Sequence, residues 1–282
     1  MSDKTALGDR MKLYEGIEAR RRFLPLLPIC ARIDGKRFSK FTQGLARPYD
    51  ERLSRLMVEV TRHLVEDTGA RVGYTQSDEI SLLYYSDSLH SQVFLDGRVQ
   101  KMTSILAAMA TARFAALLPE RVPEKAGSLA LFDCRTWVVP SRDEATNVFL
   151  WREQDATKNS IAMAAHHYYP RSELHGKNGA EMQEMLFQKG VNWNDYPAFF
   201  KRGTYVQRRT VSRPFTADEI ARLPPMHDAH KNPDLVIERT VIQEIDMPPV
   251  GQIRNRVAVL FNGEPPRLVR DEADPEKPAA AG

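Results

Sequence analysis

The chain is expected to fold as an α/β protein of the α+β kind. An antiparallel sheet of split β-α-β-β-α-β order spans residues 29 to 139, and a helical, basic region follows it. Three observations point there. Ile29-Cys30-Ala31-Arg32-Ile33-Asp34-Gly35 is a short, mostly apolar run ending in a turn dipeptide, the pattern of a buried strand. Val72 to Tyr85 reads as strand, turn and strand about Ser77-Asp78. Leu129 to Pro140 is a third strand-like run, and segments of helical period separate the three.

In chain order, residues Lys4 to Arg22 are expected to be helical, with Leu7, Met11, Tyr14 and Ile17 forming a stripe among charges. Pro25 and Pro28 then straighten the backbone into the first strand. Asp50 is a candidate cap for a helix running to about Asp67, which buries Leu53, Leu56, Met57, Val60 and Leu64. Thr68-Gly69-Ala70 ends it. A long alanine- and methionine-rich helix, Arg98 to Leu118, is read as packing on the sheet. Glu144 to Tyr169 and Ala180 to Lys189 are two further helices. The expected organisation is a first domain over 1–140, a second, basic region over 141–262 and a disordered, proline-rich tail over 263–282.

Composition narrows the function classes. With 282 residues, 42% hydrophobic and 27% charged, the chain can bury a substantial core. No apolar run is expected to approach the roughly 20 residues that span a bilayer. The polar N-terminus does not read as a secretory signal, so a cytoplasmic location is expected. Cys30 and Cys134 lie in strand-like runs and read as free buried thiols. The net charge of +3 is too small to argue nucleic-acid binding by itself.

The chemistry points to carboxylates. An aspartate where a buried strand meets a glycine turn is held rigidly, and Asp34-Gly35 is one such place. Asp78 and Glu79, interrupting the second strand pair, form another acidic pair. Each is also an ordinary turn acid, but two such clusters on neighbouring strands suit two divalent ions for phosphoryl or nucleotidyl transfer. No Walker-type loop is present, so phosphates must meet the backbone near Gly35 and basic side chains such as Lys36 and Arg37. His166, His167 and His175 lack thiolate or carboxylate companions at zinc-ligand spacing. Trp193, Tyr196, Phe199, Phe200, Lys201, Arg202, Tyr205, Arg208, Arg209 and Arg213 mix aromatics with cations. That mixture suits stacking on bases with phosphate contacts, or else a solvated face. Asn159 and Ser160 are polar breaks in a good helix and read equally as ligand contacts or as a solvated face.

These motifs together resemble the tRNA-His guanylyltransferase family and its bacterial and archaeal relatives, the 3′–5′ polymerases. The resemblance runs through Arg32-Ile33-Asp34-Gly35 with Phe38 and Phe41, Arg47-Pro48-Tyr49-Asp50-Glu51-Arg52 and Gly73-Tyr74-Thr75-Gln76-Ser77-Asp78-Glu79. It continues at Phe132-Asp133-Cys134-Arg135, Trp151-Arg152-Glu153-Gln154-Asp155 and Lys201-Arg202-Gly203-Thr204, covering roughly residues 5 to 215. It implies a palm-like catalytic domain in which Asp34, Asp78 and the Gly35 carbonyl hold two magnesium ions, with Glu79 an acid needed nearby. It also implies GTP and ATP as substrates, contacted by Gly35, Lys36, Arg37, Phe38, Arg47, Asp50, Ser77 and Asn159. The tRNA is expected to meet Arg152, Lys201, Arg202, Arg208 and Arg209, and the assembly to be a homotetramer built from dimers.

The chain also departs from that family. Arg47 stands where lysine is usual, and Met182 where a further lysine is expected, with Lys177 a possible substitute. Thr157 to Met163 replaces a His-Ile-Asn-Asn-Leu-Tyr-Asn run, keeping only Asn159. The departures resemble family members that repair 5′-truncated tRNAs against a template. The alternatives are obligate addition of one 5′ guanosine to tRNA-His, another palm-fold nucleotidyltransferase or cyclase, and a non-catalytic tRNA-binding protein.

Overall fold

The computed structural model describes residues 6–232 and 234–269. Six strands, β1 Ile29–Gly35, β2 Val72–Gln76, β3 Glu79–Tyr84, β4 Phe132–Val138, β5 Thr204–Pro214 and β6 Val236–Ile245, form one sheet. Their spatial order is β4-β1-β3-β2-β5-β6, and every pairing is antiparallel. The helices are α1 Ala6–Ala19, α2 Phe38–Phe41, α3 Glu51–Thr68, α4 Val99–Arg121 and α5 Arg142–Tyr168. After them come α6 Arg171–Leu174, α7 Gly179–Gln188, α8 Ala198–Arg202 and α9 Ala217–Arg222.

Strand alternation assigns the two faces. Ile29, Ala31 and Ile33 of β1, with Ile80, Leu82 and Tyr84 of β3, join Leu56, Val60 and Leu64 of α3 and Met102, Leu106 and Phe114 of α4 in the main core. Cys30, Val72, Tyr74, Leu83 and Tyr205 point the other way and pack with Ala145 and Phe149 of α5. Gly73 lets α3 lie directly on β2: a Cβ there would sit 2.6 Å from Thr61 Cγ2 and 2.8 Å from Val65 Cγ2. As expected from sequence, Asp50 caps α3, accepting from the Arg52 amide at 3.0 Å. Both cysteines are free and buried.

Four features differ from the expectations. The region after residue 140 supplies β5 and β6 to the same sheet, β5 pairing with β2 from Thr75↔Thr204 to Val72↔Gln207. Only Tyr205, Val206 and Gln207 of β5 are buried, so most of this strand carries no apolar alternation to read. By length and composition α4 is apolar enough to cross a membrane, although alanine and threonine leave it no continuous run of large apolar residues. Here it turns Met102, Leu106, Ala110, Phe114 and Leu118 into the core. The α1 stripe is not covered, since Leu7, Met11, Tyr14 and Ile17 are 45–68% exposed. Finally, residues 263–269 of the expected disordered tail are held by an Ile253↔Leu268 bridge and by the Arg267 amide donating to Asn255 Oδ1 at 2.8 Å. Residues 270–282 lie outside the described residues.

Candidate active site

Asp34 stands near the end of β1, and the register places Asp133 and Glu79 opposite it on the two flanking strands. Residues paired across antiparallel strands share a face, so the three acids lie in a row on the side that α5 covers. Their surroundings divide them. Asp133 is half exposed and pairs with Arg135 at 3.4 Å. Glu79 is buried and held by Arg152 at 2.6 and 2.8 Å. Asp34 is partly buried and, among the described residues, forms no ion pair.

Asp78 approaches Asp34 from the β2–β3 turn. The turn is tight because Ser77 adopts a left-handed backbone, φ 53°, which a non-glycine residue holds at a cost of about 1 kcal/mol. Gly35 donates its amide to the Asp78 carbonyl at 3.2 Å. A Cβ on Gly35 would lie 2.9 Å from Asp78 Oδ2, so only glycine lets the end of β1 meet this carboxylate. Burial pushes the Asp78 carboxyl up to about 6, with Asp34 and Glu79 adding to the rise, while the Ser77 hydroxyl donates to Oδ1 at 3.1 Å and opposes it. Two under-neutralised carboxylates in one place form a site that attracts cations.

Beside Asp78 opens a cleft of about 290 Å³ lined by Phe38, Thr42, Leu45, Arg47, Tyr49, Ser77, Met163, Phe199 and Phe200 among others. Its apolar wall is an aromatic group in which Tyr49 meets Phe199 at 5.2 Å and Phe200 at 4.8 Å. The exposed cations Lys36 and Arg37 directly precede Phe38 of the lining in the chain, and Arg47 lines the cleft itself. An apolar slot with a few polar groups at one end and cations at the rim suits a nucleoside triphosphate. Asp50 lines the cleft too, but its carboxylate is bound to Arg52 Nη2 at 2.7 Å, and that side-chain bond holds its pKa below the usual range.

The sequence-derived RNA contacts are redistributed. Arg152 is only 8% exposed; its guanidinium grips Glu79 and reaches Asp155 at 2.9 Å, so it faces the interior rather than a bound RNA. Arg208 donates to the carbonyls of Val65 at 3.1 Å and Glu66 at 2.8 Å, satisfying the last turn of α3. Arg209 binds Gln207 Oε1 at 2.8 Å, and Arg213 forks onto Glu219. Lys201 donates to the Asn194 carbonyl and lies over the Trp193 ring. Arg202 stays partly exposed beside Glu153. Asn159 is exposed on α5, four residues before Met163 and hence on the face that reaches the cleft. Lys177 pairs with Glu181 at 3.2 Å, and neither it nor Met182 lines the cleft. Sequence reasoning overlooked Met163 as a cleft residue and the Glu79–Arg152 pair, both set by how α5 crosses the sheet.

Glu153 carries a pH signature. Its carboxyl is 5% exposed, accepts from the Val250 amide at 2.8 Å, and is pushed by burial from 4.5 up to about 7. The folded protein therefore keeps a proton that the unfolded chain releases, and this stabilisation is lost as pH rises from about 4.5 through 7. Replacing Glu153 by Gln keeps the acceptor and removes the titration. The stability difference between pH 5 and pH 8 is then expected to shrink by about 2–3 kcal/mol. Urea melts at the two pH values check this, and an unchanged difference refutes it.

A family model described as tRNAHis guanylyltransferase matches residues 8–140. A bacterial tRNA(His) guanylyltransferase-like protein solved with ATP superposes with a TM-score of 0.74 at 34% identity, covering 91% of this chain and 99% of that one. An uncharacterised protein of Acanthamoeba polyphaga mimivirus is 29% identical over 73% of this chain and 78% of its own length. The tRNA(His) guanylyltransferase of Eremothecium gossypii is 28% identical over 71% of this chain and 90% of its own length. On the strength of those matches, and of carboxylates and a cleft that fit them, this chain belongs to the tRNA-His guanylyltransferase family of nucleotidyltransferases, which add nucleotides to tRNA in the 3′–5′ direction.

Proposed function

We propose that this enzyme repairs 5′-truncated tRNA, choosing each added nucleotide by pairing with the opposite strand of the acceptor stem. The observation that carries this reading is Met163. It occupies the last place of the segment that replaces the family's asparagine-rich run, and it presents a thioether, not an amide, to the cleft. An apolar wall supports stacking of any base but supplies no hydrogen bonds to select one. Selection then falls to the template.

Nucleoside triphosphate, ATP or GTP, occupies the cleft in this reading; bacterial relatives have been solved in complex with each. The sugar and base lie along Phe38, Tyr49 and Phe200, and the triphosphate lies toward Lys36, Arg37 and Arg47. Among the described residues no group of three or more His, Cys, Asp or Glu side chains is placed to hold a metal ion by itself. Asp34 and Asp78, brought together by Gly35, would hold magnesium, which is commonly bound through one or two carboxylates together with substrate phosphates and water. The Gly35 carbonyl would be the third protein donor. When bound, two such ions supply charge neutralisation at the triphosphate and orient the attacking oxygen.

The chain's own groups do the rest. Ser77 orients Asp78 through its hydrogen bond, and the Gly35 amide fixes the turn beneath it. The cations hold the triphosphate while the tRNA 5′-monophosphate attacks it and pyrophosphate leaves. The 3′-hydroxyl of the incoming nucleotide then attacks the activated 5′ phosphate and expels the nucleoside monophosphate. We also propose a cytoplasmic location and a tetramer built from dimers, which the uncovered apolar stripe of α1 supports.

The deciding measurement is kcat/KM for tRNA lacking its 5′ nucleotide against full-length tRNA-His. A preference of at least roughly tenfold, about 1.4 kcal/mol, is expected for the truncated substrate. The added base should also change when the opposing template base is changed. Equal use of full-length tRNA-His, with guanosine added whatever lies opposite, would establish single-guanosine addition instead.

A further inference from the structure

We infer that the indole of Trp151, with Arg32 against its ring and Arg135 across the strand pair from Arg32, seats the 5′-terminal base of the RNA acceptor. The inference rests on the nucleotidyltransferase reading above. Trp151 is 49% exposed, although it sits on α5 beside the buried Arg152, which grips Glu79 of the acidic row. The Arg152 guanidinium lies 4.5 Å from its ring centroid and that of Arg32 lies 5.6 Å away. Arg32 is two residues before Asp34 on the same strand, and therefore on the same face. Its Nε is buried and finds no hydrogen-bond partner, leaving only a 3.9 Å ion pair with Glu79. An orphaned buried donor of this kind marks a place completed by something other than the protein. Arg135 stands opposite Arg32 in the β1–β4 register, and its side chain is 52% exposed.

Nucleotide addition brings two substrates to one pair of aspartates, and the cleft beside Asp78 has room and aromatics for only one of them. Phe38, Tyr49, Phe199 and Phe200 line that cleft; Trp151, Arg32 and Arg135 do not. They lie on the α5 side of the sheet, where Trp151 and Arg135 are each about half exposed. An open platform cannot enclose a free nucleotide, but it suits a base delivered on a polymer that is held elsewhere as well. Stacking on an indole accepts any base, as a template-directed enzyme requires, and the guanidinium groups suit the adjoining phosphates. The bland role for the ring is as a lid that keeps water from the Arg152–Glu79 pair.

The test uses Trp151→Leu, which keeps an apolar cover over Arg152 but cannot stack, and Trp151→Phe, which keeps a stacking ring. Binding of a hairpin RNA with the form of an acceptor stem and a 5′-monophosphate is measured without nucleotide. Its Kd is expected to rise roughly ten- to hundredfold in Trp151→Leu. In Trp151→Phe it should stay close to that of the wild type, and in both variants the Kd for ATP should stay within about twofold. The RNA should also quench an indole component that Trp151→Phe lacks. Unchanged RNA affinity in Trp151→Leu overturns the seat. So does equal weakening in both variants accompanied by a fall in melting temperature, which is the behaviour of a lid. Because RNA binding is read without catalysis, an enzyme that extends no RNA sinks the functional reading while the titration still decides the seat.

Discussion

Asp34→Ala and Asp78→Ala are each expected to lower nucleotide addition by at least about a thousandfold, roughly 4 kcal/mol of transition-state stabilisation, while leaving the fold intact. The two halves of this expectation have one source. Asp34 forms no ion pair among the described residues, and Asp78 is buried beside it with its carboxyl pushed up to about 6. A folded-state pKa above the usual carboxylate value means that the ionised group weakens the fold at neutral pH, so deleting it costs no stability. Charge kept at such a place is useful only to a ligand. Melting curves should therefore match or exceed the wild type, and single-turnover assays at saturating magnesium should show the loss in the chemical step. Near-normal addition by either variant under those conditions would remove the carboxylates from the reaction. A loss of folding together with activity would make them structural acids.

The strand pattern around these acids was legible because the apolar alternation of β1 and β3 is nearly complete, with Ile29, Ala31, Ile33, Ile80 and Leu82 all turned to one core. Helix α3 was legible from its apolar stripe and α4 from its alanine and methionine content, and the ends of α3, α4 and α5 fall within a few residues of the expected ones. Strand β5 was hidden, since only Tyr205, Val206 and Gln207 of it are buried and the types of the remaining side chains follow no burial rule. Charged residues were the hardest to place. Arg152 and Arg208 belong to basic motifs, yet one grips a buried glutamate and the other the carbonyls ending α3. No sequence spacing distinguishes a cation aimed inward from one aimed at phosphate, because the partner lies dozens of residues away. Glu79 follows the same rule: the strand's two-residue period puts it on the α5 face beside Asp34, where its carboxylate is gripped by Arg152.

Arg152→Ala is accordingly expected to act first on stability. The Arg152 side chain is 9% exposed and that of Glu79 11%, and the pair is bidentate at 2.6 and 2.8 Å. Burial pushes the Glu79 pKa up, and the two hydrogen bonds from Arg152 are the main force holding the carboxylate ionised. Removing the guanidinium strands that charge under α5 next to Asp34, at a cost of about 3–5 kcal/mol. In a chain of this size the melting temperature should fall by roughly 10 °C. Arg152→Lys keeps the charge but loses the fork, so its loss should be intermediate. Glu79→Gln in the Arg152→Ala background removes the stranded charge, and the double variant should be more stable than Arg152→Ala alone. That sign is the discriminating result. An Arg152 that served RNA directly would instead give Arg152→Ala normal melting, weakened RNA binding and a shallower salt dependence, with no rescue by Glu79→Gln.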